Sequence, residues 1–181
     1  MKSSAGHACY GIIAQALHWL VAFLVFGQLA GGLYAASLPV SMARLQWLSR
    51  HKSVGLTLLA LVVLRMAWRM LHRPPALPDT LPRAERRAAG AVHALLYLLL
   101  LLVPLAGWLH ASAAGLPPSW FGLFPVPELV GRDPAQAAFL KACHQAGAAA
   151  LALLVLGHVA AALRHAFVMR DGIVKRMLPW R

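Results

Sequence analysis

The chain has 181 residues, 60% of them hydrophobic and only 12% charged, and its mean hydropathy of +0.66 is too high for an ordinary soluble domain. Seventeen Lys and Arg against five Asp and Glu give a formal charge of +12, a balance that a DNA-binding domain could share. The apolar residues, however, gather into stretches of ~20 or more, enough to cross a ~30 Å hydrocarbon core as helix, so a soluble nucleic-acid binder is excluded and a membrane protein is indicated.

The first predicted span runs from about Ala14 to Leu33. Only Lys2 precedes it, it is longer than a signal-peptide core, and it carries His18 and Trp19 early, so it reads as retained even though LYAAS after it could mimic a cleavage site. The second span covers about His51 to Met70, and its helix can start earlier because MARLQWLSR is helix-compatible. The stretch HRPPALPDTLPR cannot continue a helix and reads as a linker between two halves. The third span covers about Gly90 to His110. The loop GLPPSWFGLFPVPEL, with Trp120, Phe121 and Phe124, reads as an interfacial loop against headgroups, with nothing catalytic in it. Asp133 and Pro134 then offer an N-cap and a first-turn proline to a long fourth helix, lipid-embedded roughly from Ala142 to Leu163, which meets no Gly or Pro until Gly172 once past the bilayer.

Basic residues give the orientation. Arg65 and Arg69 stand in the last turns of span two, and Arg73, Arg83, Arg86 and Arg87 follow it. Arg164, Arg170, Lys175, Arg176 and Arg181 follow span four, and Lys2 precedes span one. The opposite side holds Arg44, Arg50, Lys52, Arg132 and Lys141, partly offset by Glu128 and Asp133, so the positive-inside rule places both termini in the cytoplasm. The expectation is an all-α fold: an integral membrane four-helix bundle forming one domain over residues 1–181, with both termini cytoplasmic.

Cys9 and Cys143 cannot form a disulfide framework, and no CxxCH or paired CxxC is present, which argues against covalent haem and thiolate zinc. Nine histidines carry the chemistry instead, because an ionisable group in hydrocarbon is costly unless paired. His7, His72 and His110 sit at helix ends; His7 and His72 read as solvated or interfacial, and His110 falls at the outer end of span three, without a functional role. His144 and His158 are 14 residues apart, close to four whole turns and ~21 Å of rise, so they share one face at two depths. His18 lies about one turn inside the cytoplasmic end of span one, level with His158. His51 lies ~21 Å outward of Arg65, in the outer half with His144.

Two histidine pairs, one above the other and each bridging two helices, are the constellation that holds two haems by axial imidazoles. Four separately hydrogen-bonded membrane histidines are the plainer account, and a divalent-metal site is disfavoured because the spans nearly lack carboxylates. His165, seven residues beyond His158 on the same face, stays open as an alternative ligand. Gly55, Gly147 and Gly157 lie near the ligands and leave room for a porphyrin edge, although membrane helices use glycine for packing too.

QALHWL near the start, RHKSVG opening span two, AVHALLYLLLLLVPLAG in span three, and CHQAG through LGHVAAALRH to KRMLP at the end together resemble the bacterial cytochrome b561 family over nearly the full length. These are small four-helix dihaem proteins of the inner membrane, related to cytochrome b subunits of formate dehydrogenase and hydrogenase. The resemblance implies two non-covalent haem b groups, held by His18 with His158 and by His51 with His144. It also implies a bacterial inner-membrane location and single-electron transfer with membrane quinone. Stand-alone members look like superoxide oxidases that pass electrons from superoxide to ubiquinone, with no obligatory protein partner. Arg50, Lys52 and Lys141, close in sequence to the outer ligands, could focus the superoxide anion, or could simply mark the headgroup boundary. His93 and His165 are the candidates by position for a quinone site, where protons are consumed. Two other functions compete: an anchor subunit relaying electrons between a dehydrogenase or hydrogenase and quinone, and a non-redox helical bundle.

Overall fold

The computed structural model describes residues 9–72, 75–76 and 81–178. Lys2, His7, Arg73 and Arg181, used above for orientation or set aside as solvated, lie outside these residues. Four long helices follow one another: α1 (Ile12–Ser37), α2 (Met42–Leu71), α3 (Arg83–Ala113) and α4 (Pro134–Leu163). All four are long and apolar enough to span a bilayer. Each extends beyond its predicted span, α3 by starting in the basic stretch at Arg83 rather than near Gly90.

Local chemistry sets the ends. The Ser41 hydroxyl caps α2 by accepting from the Arg44 N–H at 3.3 Å. Asp133 caps α4 by accepting from Ala135 and Gln136 at 2.9 and 3.1 Å, with Pro134 in the first turn as expected. α3 closes in a Schellman turn. Gly115, at φ +68°, lets Leu116 N–H reach the Ala111 carbonyl and its own N–H reach Ser112. α4 does not run uninterrupted to Gly172. It relaxes at Arg164–Met169 into a π-helical turn, and Arg170 then turns left-handed at φ 51°.

The bundle is inside-out relative to a soluble one: Phe23, Leu33 and Leu153 are each more than 70% exposed on its surface. Neighbouring helices therefore hold together by close packing and hydrogen bonds rather than by expulsion of water. α3 packs most closely on α4 and α1 on α2, with α2 against α3 joining the two pairs. α1 and α4, and likewise α2 and α4, keep their backbones largely apart. Val21, Val25, Leu58, Val62, Leu100 and Leu151 form the central core.

Both ends carry a cover. At one, a short antiparallel hairpin pairs β1 (Ser119–Trp120) with β2 (Phe124–Pro125), in register Ser119 to Pro125 and Trp120 to Phe124. It is seated on α2 rather than lying loose in the headgroups. Trp120 Nε1 donates to Thr57 Oγ1 at 3.0 Å, and the Phe121 N–H donates to Ser53 Oγ at 3.1 Å. At the other end a 3₁₀ turn (Val174–Met177) crosses the start of α1. Gln15 Nε2 and Trp19 Nε1 donate to the carbonyls of Arg176 and Met177, and Tyr10 N–H also bonds Arg176. The beginning of α1 and the C-terminal segment are thus on one end of the bundle.

Candidate haem centres

The folded chain brings together the four histidines expected as ligands, in two pairs. His18 on α1 faces His158 on α4 with ring centres 6.3 Å apart and planes at 73°. His51 on α2 faces His144 on α4 at 6.1 Å and 90°. An imidazole nitrogen bonds a transition metal at about 2 Å, so two rings on opposite sides of one metal stand roughly 6 Å apart between centres. Both pairs also join the helix combinations whose backbones stay apart, which is where a flat macrocycle needs space. Among the described residues no three His, Cys, Asp or Glu side chains group as a metal-ion site.

The outer pair is tightly held. His144 Nδ1 lies 2.8 Å from the Val103 carbonyl on α3, a bond that makes Nδ1 the protonated nitrogen and leaves Nε2 as a ligand. Gly107, one turn further along α3, makes this approach feasible, since a Cβ there would stand 3.0 Å from the His144 ring. On the other side, a Cβ at Gly32 of α1 would stand 3.0 Å from the His51 ring. Gln28 Nε2 fixes the backbone at this point by donating to the His51 carbonyl at 2.8 Å. His51 Nδ1 is buried without a hydrogen-bond partner, an orphaned polar atom on a ring otherwise clamped in place. These residues fit an axially ligated haem.

The glycines expected to make room behave differently. Gly55 meets Gln28 and Gly147 meets Val103, both as helix-packing contacts, while Gly157 has open space around it. Sequence reasoning missed Gly32 and Gly107. Their signal is tertiary: each lies against a ring from another helix.

At the inner pair a third imidazole appears. His93 on α3 stands 5.5 Å from His158 between ring centres. His165, left open as an alternative ligand, is directed elsewhere, its Nδ1 lying 2.6 Å from Asp171 Oδ2. Burial works to raise the Asp171 carboxyl, but the hydrogen bonds from His165 and from the Ile173 N–H outweigh it and hold the group below the ordinary carboxylate range. His72 is exposed, as expected of a helix-end residue, and stacks on Trp68 at 3.8 Å. His110 lies in the last turn of α3, as expected, half-buried, and its Nδ1 donates to the Ala137 carbonyl at 3.0 Å, tying α3 to α4. Arg176, counted as a headgroup-side charge, is 8% exposed and donates to the Ala76 carbonyl.

Three cations surround the outer end in different ways. Arg50 lies over the Trp47 ring at 5.7 Å, Lys52 Nζ donates to the Leu116 carbonyl at 3.1 Å, and Lys141 is exposed. Near the inner pair, Tyr10, Arg65, Trp68, Arg69, His72 and Tyr97 line a cleft of about 170 Å³.

Residues 9–180 match the family described as prokaryotic cytochrome b561. The chain belongs to that family. Cytochrome b561 homolog 2 of Escherichia coli strain K12 is 39% identical over 93% of this chain and 90% of its own length. Cytochrome b561 homolog 1 of the same organism is 28% identical, covering 72% and 74%. A protein named probable superoxide oxidase CybB from Yersinia pestis is 31% identical, covering 96% and 97%. As a cytochrome b561, the chain is a membrane electron carrier that binds haem b, and its four spanning helices suit it to the inner membrane of a prokaryote.

Proposed function

We propose that this cytochrome b561 binds two haem b groups, one between His18 and His158 and one between His51 and His144, and works alone as a superoxide oxidase that reduces ubiquinone. The observation that carries the reading is the pair of facing imidazole sets, 6.3 and 6.1 Å apart, at two depths of one bundle. Haem b supplies one-electron exchange between ferric and ferrous iron when bound. The chain's part would be to hold each iron between two imidazoles, with the Val103 carbonyl and Gly107 fixing His144 and Gly32 packing against His51, and to keep water from the path between the pairs. Two superoxide anions release two molecules of oxygen and two electrons, and ubiquinone takes those electrons with two protons to become ubiquinol.

Support for superoxide as donor comes from two directions. The Yersinia relative carries that activity in its name at 31% identity over nearly the whole chain. Arg50, Lys52 and Lys141 supply positive charge on the outer side for a small anion. On the positive-inside rule that side is the periplasm, and both termini are cytoplasmic.

The test is a dithionite-reduced spectrum of the purified chain, with haem quantified per polypeptide, followed by an assay with superoxide and ubiquinone alone. The expected result is about two haems per chain, falling to about one in His144→Ala, since each pair holds one iron. Ubiquinol forms without any second protein. A colourless sample, or one that reduces quinone only when a dehydrogenase is added, overturns the reading.

A further inference from the structure

Arg65 is in an unusual position. It lies six residues before the end of α2, ~9 Å inside the helix terminus, level with His158, which is equally far before Arg164 on α4. Nε donates to the Tyr97 hydroxyl at 2.9 Å, and the guanidinium lies over that ring at 5.7 Å. Nη1, however, is buried with no hydrogen-bond partner among the described residues. Arg69, one turn along the same face, lies over the same ring at 6.0 Å.

Two guanidinium groups over one tyrosine ring, Arg65 half-buried and Arg69 exposed in the last turns of α2, concentrate positive charge at this end of the bundle. The ion pairs among the described residues join Glu85 to Arg164 and Asp171 to His165, and neither Arg65 nor Arg69 takes part. A charged donor such as Arg65 Nη1, buried without an acceptor, is unfavourable until a ligand supplies one. A neutral carbonyl, such as that of a quinone, offers no compensating charge. A carboxylate does, and the planar fork of arginine suits it in both shape and charge.

We infer that Arg65 and Arg69 hold the propionate carboxylates of the haem at His18 and His158, with Tyr97 positioning Arg65 for that contact. The inference rests on the two-haem reading above. It makes Arg65 a positioning and tuning residue for the inner centre: a fixed cation beside the iron disfavours the ferric state, which carries one more positive charge, and raises the reduction potential.

The test is a potentiometric titration of the purified holoprotein, with the inner component identified as the one missing from His18→Ala. In Arg65→Gln that component shifts about tenfold toward ferric at a fixed potential, or about 59 mV lower for one electron, while the component missing from His144→Ala is unmoved. Arg65→Lys keeps the charge and recovers most of the shift. Tyr97→Phe removes the hydroxyl but not the cation and moves the inner component far less. Arg83→Gln, at the start of α3, moves neither and so controls for general surface charge.

A two-haem sample in which Arg65→Gln moves neither component, or both equally, overturns the inference and leaves the proposed function standing. The same holds if the potentials stay fixed while the KM for ubiquinone rises, because the guanidinium then serves the acceptor. A sample without haem removes the proposed function and this inference together. Should Arg65→Gln fail to fold, Arg69→Gln takes its place, with a shift confined to the inner component expected and an unmoved inner component overturning the inference.

Discussion

At the scale of single residues, the outer centre is defined as much by what is missing as by what is present. His144 reaches the Val103 carbonyl because position 107 has no side chain, and His51 sits where position 32 has none. An added methyl at 3.0 Å forces either the ring or the helix to move, and a β-branched side chain allows neither. Gly107→Val therefore weakens the outer haem at least about tenfold, the scale seen when the support of a ligand is disturbed. Titration of haem into the purified apoprotein, with Gly31→Ala as a reference because nothing lies within 4 Å of that position, reads the difference directly. Equal affinity in the two variants shows that the glycine serves only helix packing.

At the scale of elements, the hairpin after α3 acts as a seated cover. Ser53 is 1% exposed and two residues from His51. Its hydroxyl lies 3.0 and 2.9 Å from the carbonyls of Ser49 and Ser119 and accepts from the Phe121 N–H. Phe121 itself is held at φ 49°, a left-handed conformation that a bulky residue keeps only when its surroundings impose it. Ser53→Ala leaves the Phe121 N–H without its acceptor and costs about 1–3 kcal/mol, measured as a lowered Tm of the detergent-solubilised holoprotein. The variant Ser37→Ala, at an exposed helix end, gives the baseline.

Much of this architecture is legible in the order of residues. The span lengths, the Asp133 and Pro134 start of α4, and the shared face of His144 and His158 follow from local rules of helix geometry and capping. The pairing of depths also follows, because each span can be referred to its basic end. What local rules do not reach are contacts between helices at large separation. Examples are Gly107 against His144, Arg65 against Tyr97, and His93 beside His158. Helical spacing tells which residues share a face but not which neighbour that face meets. The docking of Trp120 on Thr57 is hidden for a related reason. An aromatic-rich loop beside a membrane has the same composition whether it floats among headgroups or is pinned to a helix.

At the scale of the molecule, charge and apolar mass are separated by depth. Basic residues crowd one end, a smaller cationic set surrounds the other, and aliphatic side chains fill the middle. Arg50 and Lys52 are held in place, by Trp47 and by the Leu116 carbonyl, so their field is a fixed feature of the outer end. Replacing Arg50, Lys52 and Lys141 together with Gln lowers the rate with superoxide about tenfold or more at low ionic strength and flattens its dependence on salt. Haem content and spectra are unchanged by the replacement. Stopped-flow measurements between about 0.01 and 0.3 M salt check this, since screening lengths shrink from ~30 Å to under 8 Å over that range. A salt profile that survives the triple replacement assigns the steering to other charges.

The plug of Val21, Leu58, Val62, Leu100 and Leu151 has an electrical consequence as well. Leu151 lies midway between His144 and His158, so the two centres are separated by ~21 Å of dry insulator, about two-thirds of a ~30 Å hydrocarbon layer. On the proposed two-haem reading, with both termini cytoplasmic, an electron passing inward across that gap would move toward the negatively polarised face. One elementary charge crossing the full layer works against ~2.3 kcal/mol per 100 mV, and about two-thirds of that falls on this hop. On the proposed function, the same aliphatic filling that keeps the bundle closed would couple turnover to membrane voltage, with an energised membrane slowing inward electron transfer and a collapsed one releasing it.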